Sequence, residues 1–160
     1  MTNDQELRRQ LVRLLDWEDA HIGLEAAAAD LPPSLRGVRP AGLPHSPWEL
    51  LEHIRLAQRD ILEFCQHPDY TAKRWPEDYW PATPGPPVTE AWDESVAATV
   101  HDREALQALA LDSAIDLFTV IPHGSGQTYL RELVLIADHT AYHVGQLVLA
   151  RRALGSWNPS

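Results

Sequence analysis

The sequence predicts an all-α protein, an antiparallel four-helix bundle with long connections. Apolar residues recur at spacings of three and four over four segments, no segment makes a convincing sheet strand, and proline and glycine gather between the helical segments. A chain of 160 residues with 44% hydrophobic content suits one domain spanning residues 1–160 around a sizeable core.

Taken in order, Leu7, Leu11, Leu14, Leu15 and Leu24 predict a first helix from about Asn3 to Asp30, with Ala26 to Ala29 adding helix propensity and Leu31-Pro32-Pro33 ending it. His21 falls within it and receives no role. The stretch from Pro32 to Pro44 reads as a connection without a motif. Ser46-Pro47-Trp48-Glu49 is a strong start for the second helix, with serine at the N-cap, proline at the first helical position and glutamate placed to close a capping box. Leu50, Ile54, Ala57, Ile61 and Phe64 form its core stripe, and His53 points inward beside them.

From His67 to Val88 the chain is rich in proline and aromatics, including Tyr70, Trp75, Tyr79 and Trp80. Such a long connection reads either as a lid or binding loop or as a packed crossover; as a lid, Trp75, Tyr79 and Trp80 would cover part of a pocket. Thr89 is placed to cap a third helix running to about Asp112, marked by Trp92, Val96, Val100, Leu106 and Leu109. Residues 112–123 look extended or irregular. A fourth helix then begins near Gln127 or Thr128 and runs to about Leu154, with Leu133, Ile136, Leu147, Ala150 and Leu154 on its apolar stripe.

His143 lies on that stripe, and His139, four residues earlier, sits about 40° round the helix and about 6 Å along it, within reach of the same ion. One inward histidine on the second helix and a pair on the last match the donor count of an open zinc-like site; the alternative is three hydrogen-bonded core histidines. Neither His53, His139 nor His143 has glutamate three residues before it, which removes a di-iron carboxylate site. The run His-Thr-Ala-Tyr-His also lacks the adjacent glutamate of the zinc-protease motif. Glu49, one turn before His53, and Glu132, two turns before His139, are candidate acid or base groups, but the capping box already explains Glu49 and a solvated helix edge Glu132. Cys65, the single cysteine, reads as a small buried residue.

Ser46-Pro47-Trp48-Glu49 leading to His53, followed by Asp138-His139-Thr140-Ala141-Tyr142-His143-Val144-Gly145-Gln146, resembles the DinB/YfiT-like superfamily over nearly the whole chain. His123 to Thr128 and Leu149 to Trp157 look like one branch of it. The resemblance implies a four-helix bundle that binds one divalent transition metal through His53, His139 and His143, with zinc or nickel expected. It further implies either a metal-dependent enzyme, a thiol-dependent transferase using a low-molecular-weight thiol or a hydrolase, or a non-catalytic metal-binding or stress-response interaction module. No catalytic residue is fixed by sequence. A homodimer is also expected from it.

The net charge of −10 argues against non-specific attraction to nucleic acid or anionic membranes and favours a small-molecule substrate or a protein partner. The polar N-terminus and the lack of an apolar run near 20 residues indicate neither signal peptide nor membrane span, so a cytoplasmic location is expected.

Overall fold

The computed structural model describes residues 2–16 and 19–157. Helix α1, Asn3–Leu15, opens on a capping box in which the Thr2 hydroxyl accepts from Gln5 N–H and the Gln5 side chain accepts from Thr2 N–H. The single first helix expected to reach Asp30 is instead broken: the chain leaves helical geometry at Asp16 and re-enters it at Gly23, the N-cap of the short helix α2, Leu24–Ala28. Residues 17 and 18 of that expectation lie outside the described residues. The break separates two packing duties. Leu11 and Leu15 enter one core cluster, whereas Leu24, Ala27 and Ala28 enter another.

Helix α3, Pro47–Gln66, starts where the sequence predicts, with Ser46 and Glu49 forming the capping box. Helix α4 runs Ala91–Leu111; Thr89 is not its cap, since Glu90 holds that position without a side-chain hydrogen bond. Helix α5, Tyr129–Ala153, is capped by the Thr128 hydroxyl. Short 3-10 turns at Pro33–Leu35 and Glu77–Tyr79 interrupt the long connections. The 112–128 segment is irregular, as expected, apart from one antiparallel bridge between Val120 and Thr128. Among the described residues the regular structure is thus helical: α3 packs on α4 and α5, α1 packs on α4 and α5, and α2 packs on α5.

Two buried arginines satisfy carbonyls that helix ends leave open. Arg8 of α1 donates to the carbonyls of Ala110, Asp112 and Ile115 at 2.7–2.9 Å. Arg151 of α5 donates to those of Ala27 and Ala29 at 2.6 and 2.8 Å, pinning the end of α2.

The core falls into two apolar clusters. Ala57, Leu62, Leu133, Ile136 and Ala137 belong to one; Leu50, Leu51, Ile54, Val144, Leu147 and Ala150 belong to the other. On α5 the boundary between them falls at His139 and His143; on α3 it falls between Ile54 and Ala57, just beyond His53. By length and composition alone α5 is apolar enough to cross a membrane, contrary to the expectation that no run qualifies. That expectation required an uninterrupted run, whereas the helix average tolerates His139, Thr140 and His143 between apolar turns.

Candidate metal centre

Local sequence sets the geometry of the three histidines. The cap at Ser46 and the proline at the first helical position fix the start of α3, so that His53 falls two turns later on the buried face, 1% exposed. His143 is 8% exposed and His139 half-buried, on successive turns of α5. One ring nitrogen from each of His53, His139 and His143 lies within 4.8 Å of those from the other two. The three residues expected to form a site are therefore brought together.

Their hydrogen bonds preset which nitrogen is free. His53 Nδ1–H donates to the Tyr79 carbonyl at 2.7 Å, so its Nε2 carries a lone pair. His143 Nδ1–H donates to Gln146 Oε1 at 2.8 Å, which likewise frees Nε2. His139 Nε2 stands 3.1 Å from His53 Nε2. Either His139 carries its ring proton on Nε2 and donates to His53, or it presents a second lone pair that a metal between the two nitrogens would satisfy. Tetrahedral bonds of about 2.0–2.1 Å separate two ligand nitrogens by about 3.3 Å, close to the observed spacing. His139 Nδ1 is buried without a hydrogen-bond partner among the described residues. The donor set thus fits a divalent transition metal.

Electrostatics favour the same use. Burial pushes His53 down to about 4, with the charges of His143 and His45 adding and the Tyr79 carbonyl opposing. Burial also pushes His139 down to about 4, helped by His143 and His53. His143 is lowered by burial and by His45, against the Gln146 hydrogen bond. All three are neutral at pH 7, the form that ligates metal.

A cavity of about 650 Å³ reaches this cluster at His139. Trp75, Tyr79, Tyr70 and Phe64 supply apolar wall, while Arg131 and Glu132 lie on its polar side. Trp80 does not line it. Its ring is stacked between His45 and His53, with centroids 4.0 and 3.9 Å away. The connection expected as either lid or crossover therefore does two things, since Trp75 and Tyr79 wall the cavity while Trp80 backs a histidine.

Glu49 is occupied by the cap and by Arg39; burial alone would raise its pKa, but the Arg39 guanidinium and Ser46 N–H hold it below the usual value. Glu132 is not on a solvated edge, as one expectation had it: it is 3% exposed and paired with Arg131 at 2.6 Å. Cys65 is buried, and burial together with the charge of Glu132 pushes its thiol up to about 12, which leaves no thiolate at neutral pH.

Sequence reasoning missed His45, Gln146 and Asp60. Asp60, 6% exposed, accepts from the hydroxyls of Tyr79 at 2.6 Å and Tyr70 at 3.0 Å and so anchors the residue whose carbonyl orients His53. Gln146 was legible in principle, because a residue three positions after a helical histidine shares its face. His45 and Asp60 act through a connection and carry no comparable spacing signal.

A search of curated proteins and a search of solved structures gave no significant match. The family comparison did, with the DinB superfamily matching residues 17–147, a span that holds all three histidines, the whole of α3 and α5 as far as Leu147. On that match, over most of its length, the chain belongs to the DinB superfamily.

Proposed function

We propose that this protein is a metal-dependent enzyme acting on a small molecule, a thiol-dependent transferase or a hydrolase. His53, His139 and His143 hold one zinc or nickel ion and leave a coordination position open. The observation that carries this reading is the convergence of three imidazoles, kept neutral by burial, beside a cavity large enough for a substrate. When bound, such an ion supplies Lewis acidity and brings the pKa of a water or thiol ligand toward neutrality.

The chain's own residues do the rest. Tyr79 and Gln146 hold two of the imidazoles in the ligating tautomer. Trp75, Tyr79, Tyr70 and Phe64 take the apolar part of the substrate and exclude water from it, while the Arg131–Glu132 pair meets its polar end. The four long helices surround this centre as an antiparallel bundle, and the reaction belongs to the cytoplasm.

Protein dialysed against zinc or nickel is assayed against ester and amide substrates without thiol, and against electrophiles with low-molecular-weight thiols. The expected result is about one ion per chain and turnover that vanishes in the metal-free protein and in His53→Ala. Full occupancy without metal-dependent turnover in either arm would make the protein a non-catalytic binding module. Failure to take up either ion would remove the metal centre itself.

A further inference from the structure

A second cavity, of about 450 Å³, lies where the chain breaks between α1 and α2. It shares no lining residue with the cavity beside the histidines. Helix α5 lines the two from roughly opposite sides, this one with Ala137, Ala141 and Val144, the other with Arg131, Leu135 and His139. Its position follows from the divided core. Leu15 and Ala137 belong to one apolar cluster and Leu24 and Val144 to the other, and all four line the cavity, which occupies the seam between the clusters. Two polar side chains on its wall are satisfied by backbone: Gln58 Nε2 donates to the Thr99 carbonyl, and the Thr99 hydroxyl donates to that of Ser95. Two others on the same wall are not. Thr140 Oγ1 and Arg103 Nε are buried without a hydrogen-bond partner among the described residues. The terminal nitrogens of Arg103 pair with Glu25 at 2.6 and 2.9 Å and with Asp16 at 3.0 Å, whereas its Nε–H finds no acceptor. Buried polar atoms left in this way cost stability, and these two line one cavity.

We propose that this cavity is a second binding site, separate from the metal centre, for a small neutral molecule with an apolar body and an oxygen acceptor, such as a ketone, ester or alcohol. Leu15, Leu24 and Val144 receive the body, while the Thr140 hydroxyl and the Arg103 Nε–H supply donors for the oxygen. The donor inventory selects the class. An ammonium group accepts no hydrogen bond and so leaves Nε–H unpaired. A carboxylate would accept one, but Arg103 already serves two carboxylates and Asp138 on the cavity wall brings a third, so a further negative charge meets an acidic setting. A neutral oxygen accepts without either penalty. The volume lies within the range of about 300–1,000 Å³ usual for small-molecule sites.

Isothermal titration of the full chain with methyl heptyl ketone, nonanoate and nonylamine tests both the site and the class, and no readout depends on a bound metal. The ketone should bind at least about tenfold more tightly than either charged analogue and give intermolecular NOEs to the methyls of Val134 and Val144, which line the cavity. Thr140→Val, which removes the hydroxyl at nearly constant shape, should weaken ketone binding about three- to tenfold. Ala141→Phe should fill the cavity and abolish binding, whereas Trp75→Ala, on the wall of the other cavity, should leave it unchanged. Circular dichroism and urea melts verify that each variant is folded; if Ala141→Phe is not, the NOEs and Thr140→Val still decide the matter. No ketone binding up to its solubility limit, binding indifferent to Thr140→Val, or binding lost in Trp75→Ala would overturn the site. Nonanoate or nonylamine binding as tightly as the ketone would overturn the class of ligand.

Discussion

Lowering the pH from 7.5 to 4.5 should destabilise the metal-free protein, and the histidine cluster sets the window. His53 and His139 titrate near 6.5 when unfolded but near about 4 in the folded chain, because burial disfavours the charged ring. Between those values the unfolded chain binds more protons than the folded one, so stability falls as pH falls. The contribution is whole above the unfolded value and fully lost below the folded one. At pH 4.5, about two units below the unfolded value, one histidine accounts for about 2.7 kcal/mol, and two for at most about 5. For a urea slope of about 1–3 kcal/mol/M this moves the unfolding midpoint by roughly 1–5 M. The carboxylates held low, among them Glu25, Glu49 and Glu63, contribute in a lower window, lost only as pH falls below their unfolded value of 4.5. Urea titrations of metal-free protein at pH 7.5 and 4.5, repeated on a His53→Gln/His139→Gln variant, separate the two. Equal midpoints in the parent protein, or an undiminished shift in the variant, would refute the reasoning. In the loaded protein the ion competes with the same protons, so metal occupancy that survives unchanged at pH 4 would contradict three-histidine ligation.

His143→Ala should abolish zinc uptake yet leave the helical spectrum intact, whereas Leu147→Ala, fully buried on the same helix, should cost roughly 2–5 kcal/mol and spare the metal; elemental analysis and urea melts decide both. Asp60→Asn should lower zinc affinity about 10–100-fold by loosening the Tyr79 anchor, measured by competition with a chelator. Unchanged affinity would make Asp60 a purely structural residue.

The helices that carry the site were legible because their signals are local. Ser46 and Pro47 mark the start of α3, and the stripe of Leu133, Ile136, Leu147 and Ala150 marks α5 and places His143 on the buried side. The first helix was misread because apolar spacing persists from Leu7 to Leu24 although the chain turns between them; periodicity records which residues are buried, not whether one axis joins them. Thr89 failed as a cap for a related reason, since an oxygen-bearing side chain at the right distance does not force the chain to enter the helix there.

What periodicity cannot carry is the support around the ligands, because those contacts join residues far apart in sequence. His53 is held from three sides: the Tyr79 carbonyl takes its Nδ1 proton, Trp80 stacks on its face with an interplanar angle of 1°, and His139 meets its Nε2. Two of those three groups are neighbours in the aromatic connection, and Asp60, from α3 itself, binds the Tyr79 hydroxyl and closes the circuit back to the helix that bears His53. An imidazole buried to 1% exposure keeps full ligating capacity only if its other nitrogen is satisfied and its ring cannot rotate. The connection meets both conditions at once, which gives its prolines and aromatics a reason independent of any lid: they hold a backbone carbonyl and an indole where a histidine from another element requires them. Trp75, 68% exposed on the cavity wall, is then the part of the same segment left free to meet a substrate.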